Sequence, residues 1–190
     1  MRAARGGTRM FVEQDARPSM STKTQRELSA TPPTAAPHVH VELLSQPRYL
    51  AGARDLVSAI AKRFGFDDHD CARIALSVDE ALCNVIRHGY DRREDGRIWI
   101  KLWPVNLEGA ESGGIQLVIE DEARQIDPDK IKGRDLEDVR PGGLGVFIMR
   151  EVMDLVHFEK RTDSDRGMRL VMIKRTGPEN AKAESDGNQR

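Results

Sequence analysis

Val39, Val41 and Leu43 alternate with His38, His40 and Glu42, the two-residue period of a half-buried strand, which Pro47 then ends. From Arg48 to Phe64 the period changes. Leu50, Ala53, Leu56, Val57, Ile60, Ala61 and Phe64 recur at three and four, which predicts an amphipathic helix closed by Gly65. Asp67 is placed to cap a second helix, with Asp70 at its third position and Phe66 able to pack against Cys71; apolar periodicity carries it to His88, before Gly89. Alternation returns at Ile98, Ile100 and Leu102 and again at Ile115, Leu117 and Ile119, and a last pair of strands, Leu155–Lys160 and Met168–Lys174, flanks the turn-rich TDSDRG. A long charged connection over 121–143 carries Pro128, Gly133, Pro141, Gly142 and Gly143, and a helix from Leu144 to about Asp154 precedes the final hairpin. This order predicts a two-layer α/β sandwich: a mixed, mostly antiparallel sheet with helices on one face.

The second helix is unusual in what it leaves polar. At about 100° per residue, Arg73, Ser77, Glu80, Asn84, Arg87 and His88 fall within one arc, while most of the remaining circumference is apolar. Such a stripe suits the solvated face of an ordinary amphipathic helix, and it equally suits the wall of a cavity. Asn84 favours the cavity, because a mid-helix amide competes for backbone groups unless it has a ligand or a buried partner. A carboxylate at Glu80 could polarise a hydroxyl, the amide oxygen of Asn84 could bind a hard cation such as Mg²⁺, and His88 one turn on could meet phosphate.

Two further segments carry chemistry. Arg140-Pro-Gly-Gly-Leu-Gly-Val-Phe-Ile-Met-Arg150 sets three glycines before an apolar helix, where exposed amides suit phosphate oxygens, although the glycines serve a hinge equally well. No Gly-Lys-Ser/Thr follows, so this is no P-loop. After the third strand, Asp121 opens a long loop; it suits a turn, and it could also accept a hydrogen bond from the exocyclic amine of a base.

Composition changes the picture mainly at the ends. Residues 1–37 hold four of the nine prolines and one aromatic, and the last fifteen, TGPENAKAESDGNQR, hold no large apolar side chain, so 1–37 and 176–190 read as disordered or flexible tails around one domain, 38–175. The formal charge of −1 argues against direct nucleic-acid binding. No apolar run is long enough to span a membrane and the basic amino terminus lacks a signal-peptide h-region, which makes the cytoplasm the expected compartment. Cys71 and Cys83, on one helix, lie too far apart to bridge and are expected to be buried thiols.

Taken in series, Glu80-Ala-Leu-Cys-Asn84 with His88, then Asp121, then Gly142-Gly-Leu-Gly145 resemble the N, G1 and G2 boxes of the gyrase, Hsp90, histidine kinase and MutL ATPase superfamily. Within it, DEA..N...HGY and RPGGLG are most similar to the stand-alone anti-sigma serine kinases, over roughly residues 40–175. The resemblance implies a Bergerat-type sandwich that binds ATP and Mg²⁺ and phosphorylates a serine on a STAS-type antagonist while also sequestering a sigma factor. It implies Glu80 as general base, Asn84 as Mg²⁺ ligand, Arg87 and His88 near the phosphates, Asp121 on the adenine amine beside Ala123, and Gly142, Gly143, Leu144 and Gly145 around the phosphates under a lid at about 127–143. The oligomeric state stays open, a homodimer among the options. Ala123 departs from the pattern, which has glycine there, and this leaves a compromised nucleotide site or one re-tuned around the methyl; the presence of the other motif residues together favours re-tuning. A non-catalytic binding module that holds a sigma factor or antagonist is the alternative function.

Overall fold

The computed structural model describes residues 28–105, 113–131 and 143–177. Five strands form one sheet: β1 (Val39–Leu44), β2 (Arg97–Pro104), β3 (Gly114–Asp121), β4 (Leu155–Lys160) and β5 (Met168–Arg175), in the order β1-β2-β3-β5-β4. All four pairings are antiparallel, so the sheet is simpler than the mixed one the element order allows. Three helices, α1 (Leu50–Arg63), α2 (Asp68–Asn84) and α3 (Leu144–Val152), cover one face. Their apolar stripes meet Ile98, Ile100, Leu102, Ile115, Leu117, Ile119, Leu170 and Met172 in the main core. Among the described residues no helix is long and apolar enough to cross a membrane.

Local chemistry fixes where the elements begin. Pro47 opens a short 3₁₀ turn, Pro47–Tyr49, ahead of α1. The Asp67 side chain accepts the amide of Asp70 at 2.7 Å, the cap that starts α2. The end of α2 departs from the periodicity. The α-helix stops at Asn84, and Val85–Gly89 form a π turn in which the Tyr90 amide reaches back to the Val85 carbonyl. The wider turn moves Arg87 and His88 off the 100° progression and leaves both exposed, while Ile86 stays in the core. Cys71 is buried and Cys83 half-buried; both are free thiols.

The other face of the sheet is also covered, by means the apolar pattern does not announce. Glu120 lies between Lys101 and Arg169, each at 2.6 Å, and Arg169 continues to Glu159 at 2.9 Å. Beside this row, Trp103, Val118 and Val171 form a small second cluster. The Trp103 indole donates to the Ala35 carbonyl at 2.9 Å, and the Gln116 amide donates to that of Thr31 at 3.3 Å. Within the segment expected as a tail, Thr31 and Ala35 thus meet β3 and β2 through their backbone carbonyls. Residues 1–27 and 178–190 lie outside the described residues.

Candidate functional site

Alternation along β3 puts Ile115, Leu117 and Ile119 in the main core and carries Asp121, the last residue of the strand, onto the same face. There the strand end meets the C-terminal end of α2 and the start of α3 around a cavity of about 320 Å³. Asn84, His88, Asp121, Ala123, Gly143 and Gly145 line it together. Its remaining wall is largely apolar, from Ala81, Val85, Ile126, Ile131, Val146, Phe158, Met168 and Leu170, with Lys130 and Arg124 as cations. An apolar slot with a few polar groups converging on it is the usual form of a small-molecule site.

Asp121 is only 4% exposed, and its Oδ1 accepts the amides of Ala123 at 2.8 Å and Met168 at 3.2 Å. Its Oδ2 takes no hydrogen bond among the described residues, which leaves one carboxylate oxygen for a donor in the cavity. Burial pushes the Asp121 carboxyl above the ordinary aspartate value, partly opposed by those two amides and by the charge of Arg161. The loop is tied down on both sides: the Gly167 amide donates to the Ala123 carbonyl at 2.7 Å, and Arg161 Nη1 donates to the Asp121 carbonyl at 3.1 Å.

Ala123 answers the question its sequence raises. Among the described non-glycine residues only Asp91 and Arg92 have positive φ, so alanine at 123 meets no left-handed strain. Its methyl faces Gly89, where an added Cβ would stand 3.1 Å away. Glycine at 89 gives the room that alanine at 123 takes up. The backbone at Ala123 therefore carries no strain that glycine would relieve.

On the far side, Gly143 takes φ +84°, the left-handed conformation glycine adopts freely, at the cap position of α3. Gly145 packs on Glu80: a Cβ there would collide with Glu80 Oε2 and stand 3.3 Å from its Cβ. Glu80 thus sits beside the cavity, against one of its lining residues. Two expected site residues, Arg87 and Leu144, do not line the cavity. Arg87 lines a neighbouring cleft, Leu144 is 53% exposed, and Gly142 lies outside the described residues, as does most of the expected lid. The upper part of the polar stripe is structural: Ser77 is buried and donates to the Arg73 carbonyl at 3.1 Å, and Arg73 donates to the Glu151 carbonyl at 3.3 Å.

Lys130, Arg124, Phe158 and Met168 line the cavity without having been legible as site residues. Lys130 has a local signal, since Asp127-Pro128 opens the 3₁₀ turn Pro128–Lys130 that carries it. Phe158 and Met168 have none, because only the β4–β5 hairpin's position in the sheet brings them there. The donor set suits a ring bearing an exocyclic amine together with a hard cation: the free oxygen of Asp121, apolar walls and the amide oxygen of Asn84, with Glu80 beside the cavity.

Residues 43–174 match the family model described as the histidine kinase-like ATPase domain. The chain is 31% identical over 139 residues to the serine-protein kinase RsbW of Listeria innocua, covering 72% of this chain and 85% of that protein. It is 26% identical over 157 residues to the protein of the same name from Oceanobacillus iheyensis, covering 78% and 93%. To that of Bacillus subtilis it is 26% identical over 148 residues, covering 73% and 86%.

Proposed function

This chain belongs to the histidine kinase-like ATPase domain family, in the branch of the serine-protein kinases, and on that premise we propose that it is an ATP-dependent protein serine/threonine kinase of the anti-sigma type. Its substrate in this reading is a serine on a STAS-type antagonist, and the chain exchanges between that antagonist and a sigma factor. What supports the reading most is that the separated segments Glu80–His88, Asp121–Ala123 and Gly143–Gly145 surround or abut one cavity.

The roles follow from the donor atoms. Asp121 Oδ2 accepts from the adenine amine, while Oδ1 stays engaged by the amides of Ala123 and Met168, so the carboxylate is held in one orientation. The amide oxygen of Asn84 would hold Mg²⁺. Bound ATP and Mg²⁺ supply the phosphoryl group and neutralise its charge, so that catalysis is mainly positioning and electrostatics. Glu80 orients the serine hydroxyl and takes its proton on the carboxylate, with Gly145 leaving room for that side chain. Gly143, Gly145 and Lys130 supply backbone amides and a cation for the anionic end, and the apolar wall excludes water.

Incubating the purified chain with ATP, Mg²⁺ and a STAS-type antagonist from the same organism, then locating phosphoserine by mass spectrometry, tests this. One modified serine is expected, with the rate reduced by about 10²-fold or more in Glu80→Gln. ATP binding without any serine phosphorylation would replace the kinase by the non-catalytic binding module.

A further inference from the structure

A second cleft, of about 470 Å³, adjoins the cavity and shares His88, Gly89, Ala123 and Arg124 with it. Arg87, Arg93, Arg124 and Arg166 line it against a single carboxylate, Asp91, on a chain whose formal net charge is −1. Among the described residues Arg93 alone of the four has a carboxylate partner, Asp95 at 3.0 Å. The concentration of positive charge is local, and all four arginines are exposed.

The floor beneath them is built rather than loose. Tyr90 is buried, and its hydroxyl donates to the Arg97 carbonyl and accepts the Glu122 amide at 2.8 Å. The buried Ser45 hydroxyl donates to the Arg93 carbonyl at 2.5 Å and accepts the Gly96 amide at 3.0 Å. These ties hold the turn in which Asp91 and Arg92 take left-handed φ of 52° and 62°, a conformation such residues seldom adopt. Arg93 therefore projects from a fixed frame.

That frame also limits what the cleft can hold. A compact phosphate site gathers backbone amides on one point. Here the amides of four lining residues, Tyr90, Arg93, Ala123 and Arg166, are engaged within the protein. What remains is a set of long cationic side chains spread around a rim, which suits several carboxylates spaced along a chain better than one phosphate. A nucleic-acid strand would want a broad aromatic face to stack on; Tyr90 is 6% exposed, which leaves only the small imidazole of His88, shared with the nucleotide cavity.

We propose that this cleft docks an acidic polypeptide segment of the protein partner, beside the nucleotide cavity; the identity of that partner rests on the kinase reading above. The cleft would then steer and hold the partner electrostatically, apart from the groups that act on ATP.

The test uses the full chain and a fluorescein-labelled glutamate decamer, followed by anisotropy, with ATP affinity measured in parallel by calorimetry. Arg166→Glu is the main variant, because Arg166 is exposed and stands outside the proposed nucleotide machinery; Arg166→Lys keeps the charge. Expected are saturable peptide binding that weakens with salt, a loss of about tenfold or more in Arg166→Glu with recovery in Arg166→Lys, and ATP affinity within about twofold throughout. Equal peptide affinity in wild type and Arg166→Glu, or none in wild type, would overturn the proposal. So would a parallel loss of ATP affinity, which would assign the cleft to the phosphates, or tighter binding of a thymidine 12-mer that Arg166→Glu abolishes. Peptide binding without ATP binding in wild type would uphold the cleft while refuting the kinase reading.

Discussion

At the scale of single residues, Asp121 carries the sharpest chemistry. Asp121→Asn puts an NH₂ either against the Ala123 and Met168 amides or against the incoming amine, so one donor faces another in both orientations. Calorimetry should find ATP affinity lower by about 10–100-fold, roughly 1–3 kcal/mol, with a relative gain for a 6-oxopurine nucleotide. In the wild type, the raised Asp121 pKa means that ATP affinity should weaken on acidification while an ordinary aspartate is still ionised. Stability runs the other way. A carboxyl raised in the fold stabilises it below the unfolded value, and that contribution is lost as pH rises through the folded value. Asp121 is legible in the sequence as an acidic residue closing a strand, but the commitment of one oxygen to the backbone is not, since the Met168 amide comes from a strand 47 residues away. At Ala123 the motif leaves two readings open, a compromised site and a re-tuned one. Without left-handed strain to relieve, Ala123→Gly should leave ATP affinity unchanged and lower stability by about 0.5–1 kcal/mol through unfolded-state entropy, read from calorimetry and thermal unfolding of the same protein.

At the scale of elements, the apolar period fixes all three helices and all five strands to within a few residues, because each buries one face against the other layer. It misses the π turn at Val85–Gly89. A widened turn leaves no periodic mark in five residues, and its cause is tertiary: Tyr90 must reach Arg97 and Glu122. Around that turn Asn84 lines the cavity, Arg87 the cleft and His88 both, where a helical wheel merges all three into one stripe. The contact between α2 and α3 is legible only as a glycine. Gly145→Ala should push the Glu80 carboxylate aside, and because the colliding atom ends a flexible side chain, the fold should lose only about 1 kcal/mol. Phosphotransfer, by contrast, should fall about as far as in Glu80→Gln. Thermal unfolding and a radiolabel transfer assay on the same variant separate the two effects.

At the scale of the molecule, the sheet has one face closed by helices and another closed by ion pairs and by residues 28–37. Composition alone assigns that segment to a tail, since its contacts are made through backbone carbonyls that any residue offers. Residues 1–27 are too poor in large apolar side chains to build a core, and deleting them should leave the melting temperature unchanged. Deleting 1–37 uncovers Trp103 and Gln116 and should cost roughly 2 kcal/mol, measured by denaturant unfolding. In the proposed function α2, β3 and α3 enclose a nucleotide site in which Asn84 holds the cation. The most direct test of this is calorimetric titration of ATP, with and without Mg²⁺, into wild type and Asn84→Ala. The wild type should bind ATP in a Mg²⁺-dependent way and Asn84→Ala should lose that dependence while melting at the wild-type temperature; equal Mg²⁺-dependent affinity in the two proteins would contradict the account.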